Sequence, residues 1–146
     1  MTEPKTPPTS EPANAASPSD SSSEARPAGA VPGVLDGIRV LELGQVLAGP
    51  FAGAIFADLG AEVLKIERTD GGDDARRMGP PFRHGDALTF HIFNRGKQSI
   101  ALDLKSEAGL AAFKTLAASA DILVHNLRPG VPADLVRHTL VAQYND

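Results

Sequence analysis

The sequence predicts an α/β fold: a Rossmann-like parallel sheet with flanking helices, preceded by a disordered tail. Two observations carry this. From Leu35 onward, short β-branched and aliphatic runs alternate with helical stretches of about 10 to 13 residues, the order that βαβ units and a parallel sheet require. Before that point, residues Met1 to Val34 hold seven of the twelve prolines, six serines and no Leu, Ile, Phe or Tyr. Such a stretch buries too little apolar surface to offset the entropy of ordering it.

The elements follow in order. Ile38-Arg39-Val40-Leu41-Glu42-Leu43, bounded by Gly37 and Gly44, reads as the first strand. Pro50 suits the first turn of a helix in which Phe51, Ile55 and Leu59 recur on one face, and Gly60 is placed to end it. Glu62 to Glu67 is the second strand. The Gly/Asp/Arg/Pro-rich stretch from Thr69 to Asp86 has no periodicity, and Ala87 to Asn94 reads as a short helix. Ser99 to Leu104 is the third strand, and Ser106 is the expected N-cap of a helix presenting Leu110, Phe113 and Leu116. Asp121 to His125 is the fourth strand.

Composition excludes several function classes. A net charge of −4 and a pI near 5.5 oppose binding to nucleic acid or to an anionic membrane surface. No apolar run approaches the roughly 20 residues of a bilayer-spanning helix. The chain has no cysteine, hence no disulfide, thiolate metal site or cysteine nucleophile, which fits a cytoplasmic protein. The histidines at 84, 91, 125 and 138 lack metal-ligand spacing, so no metal is expected. The tail carries neither the apolar core of a signal peptide nor the arginine bias of a transit peptide.

In open α/β sheets, ligands collect at the carboxyl ends of the strands. The sequence places four groups there: the loop Gly44-Gln45-Val46-Leu47-Ala48-Gly49, Arg68, Lys105, and Asn126-Leu127-Arg128-Pro129-Gly130. The first precedes a helix N-terminus, which favours an anion. It does not spell G-x-G-x-x-G, which disfavours an ordinary NAD site. Arg68, where an acid would bind a ribose, suits a phosphorylated ribose, as in NADP or coenzyme A, or else is a loop arginine paired with Asp70 or Glu67. Lys105 is a phosphate contact or a solvated lysine, and the Arg128 turn is a ligand contact or a plain tight turn. An NADP-dependent oxidoreductase therefore stands beside a CoA-binding protein as a reading of the residues.

Taken together, the segments resemble the class III coenzyme A transferase family (CaiB/BaiF type), which takes in CoA transferases and α-methylacyl-CoA racemases. The resemblance runs through L-D-G-I-R-V-L-E-L at 35 to 43, A-G-P at 48 to 50, D-L-G-A-E-V-L-K-I-E-R at 58 to 68, G-D at 72 to 73, F-N-R-G-K-Q-S-I-A-L-D-L-K at 93 to 105, and A-D-I-L-V-H-N-L-R-P-G-V at 120 to 131. It departs from the family at His125, where Glu is usual, and at Leu127, where an aromatic is frequent; it fades after Pro132. The organisation expected is thus a tail at 1–34, the amino-terminal part of the large domain at 35–132, and a divergent end at 133–146.

The resemblance implies a truncated Rossmann-like domain from a chain of about 400 residues, whose two copies interlock as a homodimer. It implies coenzyme A or acyl-CoA as substrate, with a carboxylic acid as co-substrate and no permanently bound cofactor. By position it implies CoA contacts from the backbones of Leu47 and Ala48, from Arg68, from Leu102 to Lys105, and from Asn126, Leu127 and Arg128. The transferases use an aspartate that attacks the thioester and the racemases a His/Asp pair. Neither falls within these 146 residues by position, so no catalytic residue is assigned and the chain alone is expected to be inactive. The long P-P-F-R-H-G-D-A-L-T-F-H-I-F-N-R segment at 80 to 95 favours transferase over racemase. A non-catalytic CoA-binding fragment is the further alternative.

Overall fold

The computed structural model describes residues 33–128 and the backbone of Leu140–Gln143, all within the compact unit Val31–Asp146. The expected disordered tail up to residue 32, the Pro129-Gly130 turn and most of the divergent end lie outside the described residues. Gly33 and Val34, assigned to the tail by composition, instead enter the turn before the first strand. Leu35 N–H donates to Leu59 O at 3.0 Å, and Gly33 packs so closely on Leu59 and Gly60 that no side chain would fit.

The elements are β1 (Arg39–Glu42), α1 (Ala48–Asp58), β2 (Glu62–Glu67), a 3-10 turn (Asp74–Arg77), β3 (Phe82–Arg83), β4 (Asp86–Ala87), α2 (Leu88–Phe93), β5 (Gln98–Ala101), α3 (Glu107–Ala118), β6 (Ile122–His125) and β7 (Leu140–Gln143). The main sheet has five strands in the order β5-β2-β1-β6-β7, with every pair parallel. This is the Rossmann-like α/β arrangement the sequence predicts, with the strand order reversing next to β1.

Local chemistry fixes the helix ends. Ser106 Oγ accepts from Gly109 N–H at 3.0 Å and caps α3 as expected. Gly60, at φ +100°, ends α1: its N–H reaches Ala57 O and the Ala61 N–H reaches Phe56 O, both at 3.0 Å, a pairing open to glycine in the left-handed region.

The core has two layers. On the α3 side, Leu41, Leu43, Ile66, Phe113, Ala117 and Leu123 are buried together; on the other, Val40, Ala61, Val63 and Val124 pack with Ala52, Phe56 and Ala57 of α1. Here the expected face of α1 is corrected. Phe51, Ile55 and Leu59 point outward, and Gly49, Pro50, Gly53 and Ala54 are the residues buried against the sheet. The helix lies so close to Glu42 that only small residues fit beneath it.

Three further differences follow from pairing. Strand β5 pairs with β2 only as far as Ala101, so Leu102, Asp103 and Leu104, expected within it, form the loop that leaves the sheet. The aperiodic 69–86 stretch contains the turn at 74–77 and most of the β3–β4 hairpin, whose last residue, Ala87, pairs with Phe82 instead of opening the helix as expected. Strand β7 lies in the segment expected to be divergent and pairs with β6 from Ile122↔Leu140 to His125↔Gln143. Strand β6 is therefore paired on both sides, with β1 and with β7.

Candidate functional site

A cleft of about 390 Å³ opens at the carboxyl ends of β1, β2 and β5. Leu43, Gly44 and Gln45 line it from β1, Ile66 to Asp70 from β2, Gly72 and Asp73 from the following loop, and Leu102 to Lys105 after β5, with Leu127 closing one side. Of the residues singled out in the sequence, Arg68, Leu102, Lys105 and Leu127 share this cleft. Leu47 and Ala48 are exposed at the start of α1, outside the lining, as are Asn126 and Arg128.

Arg68 pairs with neither of the partners weighed from the sequence. Its guanidinium donates to Gly72 O at 3.0 and 3.1 Å and to Asp74 Oδ1 at 2.6 Å, while about half of the side chain remains in solvent. Glu67, one residue earlier, is turned away into a separate cluster. Its carboxylate takes two bonds from Arg76, at 2.8 and 2.7 Å, one from Ser99 Oγ at 2.6 Å and one from Asp73 N–H at 2.9 Å. Burial pushes the Glu67 carboxyl up, but the bonds from Arg76, Ser99 and Asp73 outweigh it and bring the pKa down to about 2. Arg76 also reaches Asp86 at 2.7 Å and lies over the Phe90 ring at 3.8 Å.

The loop between β1 and α1 is the most constrained part of the site. Leu47 N–H donates to Gln45 O at 3.0 Å across Val46, which has φ +64°. This is the strained, left-handed form of the three-residue turn, and for a β-branched residue it costs on the order of 1 to 3 kcal/mol. Four segments hold it. The Asn126 side-chain amide accepts from Gln45 N–H and donates to Gln45 O, both at 2.9 Å. Asp73 Oδ1 accepts from Val46 N–H at 3.0 Å, Lys65 Nζ donates to Gly44 O at 2.7 Å, and Lys97 Nζ donates to Pro50 O at 2.7 Å. Leu47 provides no side-chain cap and Pro50 has no N–H, so the amides of Ala48 and Gly49 open α1 at its positive end.

Beneath this loop lies a buried charge cluster that sequence reasoning missed. Glu42 and Lys65 are 0% and 1% exposed, and Lys65 Nζ stands 2.8 Å from Glu42 Oε1 and 2.9 Å from Asp73 Oδ2. Lys97 Nζ reaches the second oxygen, Glu42 Oε2, at 2.6 Å and Asn94 Oδ1 at 3.1 Å. Two carboxylates thus meet two ammonium groups, the condition under which buried charge is tolerated. Burial pushes Lys97 below the usual lysine value, with Glu42 opposing the shift. Glu42 and Lys65 are register partners in adjacent strands, a pairing visible only once the two strands are set side by side. His125, at the end of β6, is buried with no partner for either ring nitrogen among the described residues, and burial pushes its pKa down, which favours the neutral ring.

A parallel α/β sheet with a cleft at the carboxyl ends of its strands, flanked by an uncapped helix N-terminus, defines a Rossmann-like domain. Residues 35–138 match CoA-transferase family III, and the chain belongs to that family. It is 48% identical over 100 residues to succinate–glutarate CoA-transferase of Agrobacterium fabrum, covering 64% of this chain and 25% of that protein. It is 47% identical over 96 residues to human succinyl-CoA:glutarate CoA-transferase, covering 66% and 22%. A CAIB/BAIF family protein from Brucella suis superposes with a TM-score of 0.67 at 41% identity, over 72% of this chain and 29% of that one. The chain therefore spans about a quarter of the length of the curated relatives it matches. Among the described residues no helix is long and apolar enough to cross a membrane, and no group of three or more His, Cys, Asp or Glu could hold a metal ion.

Proposed function

We propose that this chain holds the nucleotide end of coenzyme A, as the amino-terminal portion of an enzyme that moves CoA between an acyl-CoA and a carboxylic acid. The observation that supports it is the cleft with Arg68 and Lys105 in its lining, next to the uncapped start of α1. Arg68 already holds an anion, Asp74, in an exposed geometry that a phosphate on the ribose can take over. In this reading Leu47 and Ala48 contact CoA through their backbones, Leu102 and Lys105 flank the adenine, and Asn126, Leu127 and Arg128 border the pantetheine path. The Asn126 side chain acts there by fixing Gln45. The acyl-carrying aspartate of the transferases is not assigned to any residue of this chain, so the chain alone binds without turning over. The reading extends to a cytoplasmic enzyme that assembles as a homodimer.

Isothermal titration of the folded chain with coenzyme A, dephospho-CoA and NADP tests the proposal. CoA is expected to bind at least tenfold more tightly than dephospho-CoA and than NADP, which lacks the pantetheine arm. Equal binding of CoA and dephospho-CoA removes the phosphate role of Arg68, and tighter binding of NADP removes the CoA reading. An acyl-CoA:carboxylate transfer assay on the same sample is expected to show no product above background.

A further inference from the structure

Two sequence motifs are left without a role by the CoA contacts: Gly72-Asp73 and Asn94-Arg95-Gly96-Lys97. One delivers a charged group to the 44–47 loop and the other to the first turn of α1 that follows it. We propose that Asp73 is a positioning residue for the coenzyme site, which holds Val46 in its left-handed turn and thereby sets where the Leu47 and Ala48 amides stand. The inference rests on the CoA reading for its functional half only.

The argument is one of acceptor count. Asp73 Oδ1 takes the N–H of Val46 at 3.0 Å and of Ala75 at 2.9 Å, while Oδ2 faces Lys65 Nζ at 2.9 Å. An aspartate offers two acceptor oxygens, whereas an asparagine offers one oxygen and a donor that repels either the lysine or the two amides. Lys65 in turn donates to Glu42 Oε1 and Gly44 O and stands in ionic contact with Asp73 Oδ2, which takes no hydrogen bond from any described residue. One ammonium thus anchors the start of the loop and the carboxylate that bends its middle. Lys97 closes the arrangement at Pro50, and the cluster of Glu42, Asp73, Lys65 and Lys97 is electrically neutral. Val46 holds this backbone at a cost in strain, and of the supports of the loop the Asp73 bond is the one made to the Val46 N–H itself.

The test is amide hydrogen exchange at Val46, followed by NMR on the full chain, with CoA titration beside it. In the wild type the Val46 amide is expected to be protected; exchange at the open-chain rate overturns the proposal without any variant. Asp73→Asn is expected to speed Val46 exchange and to weaken CoA binding, each at least tenfold. The double change Lys65→Met with Asp73→Asn removes both charges and lets the amide oxygen turn to Val46, and is expected to return Val46 exchange to within threefold of wild type. Ala117→Gly, in the α3 core and outside the cleft lining, serves as the merely destabilised control and is expected to change both readouts less than threefold. Unaltered Val46 exchange in Asp73→Asn, no recovery in the double variant, or an equal effect from Ala117→Gly overturns the proposal. So does a faster Val46 amide with undiminished CoA affinity. A wild-type chain with a protected Val46 amide but no CoA binding refutes the CoA reading instead, and leaves the Asp73–Val46 lock standing.

Discussion

Gly53 of α1 rests on the carboxylate of Glu42 in β1, so that a methyl group at residue 53 would overlap Glu42 Oε2 and crowd Lys97 Nζ. Gly→Ala in an exposed helix interior stabilises by about 1 kcal/mol. Here the sign is expected to reverse, because the added carbon either lifts α1 off the sheet or parts Glu42 from Lys97. Gly53→Ala should cost about 2 to 4 kcal/mol net, read as a fall in denaturation midpoint at unchanged slope.

Glu67 sets an acid limit on stability. Its folded pKa of about 2 lies below the ordinary 4.5, so its contribution is complete above pH 4.5 and is lost as pH falls toward 2. The full difference is about 3 kcal/mol. Thermal melts of the wild type are expected to drop over that window more steeply than those of Glu67→Gln, and identical slopes would exclude the Arg76 and Ser99 bonds as the cause.

Arg68 and Lys105 divide the coenzyme's charge between them in the proposed complex. Arg68→Ala should weaken CoA by about 1.5 to 3 kcal/mol, the range for a hydrogen bond to a charged group, and leave dephospho-CoA nearly unaffected. Asp74→Asn frees Arg68 and should tighten CoA modestly. Titration calorimetry reads both, and equal losses for the two ligands in Arg68→Ala would place the 3′-phosphate elsewhere.

The outward stripe of Leu47, Phe51, Ile55 and Leu59 on α1, between 41% and 51% exposed, is larger than isolated surface residues explain. Phe51 is extended sideways by an edge-on contact with Phe93 at 5.8 Å. Light scattering after size exclusion is expected to show concentration-dependent association that Ile55→Lys abolishes, with little change in melting temperature. A monomer at all concentrations would contradict this.

The parallel sheet was legible where burial writes itself into hydropathy. Strand β2 is read residue for residue, and Ser106 declares the start of α3 by its cap. The face of α1 was not, because glycine, proline and alanine at 49, 50, 53 and 54 carry little hydropathy, while Phe51 and Ile55 carry much and point outward. Close approach is written in small residues, which an amphipathic pattern overlooks. The buried lysines were hidden for a related reason: a lysine in a strand reads as solvent-facing until its partner across the sheet is known. The cleft residues Arg68 and Lys105 were reachable because they need only a strand end and a topology. Asp73 required a fold that brings residue 73 back over residue 46.

The Gln45–Asn126 clamp joins positions 81 apart. Everything from α1 through α3 is threaded between them, so this corner of the cleft cannot exist as a local structure. It exists only where β6 lies beside β1, so closing it carries the loop entropy of the chain between the two residues. Occupancy of the cleft by a ligand that needs this loop would therefore report on the integrity of nearly the whole sheet. A ligand-dependent slowing of amide exchange would reach β6, far along the chain from the first residues it touches.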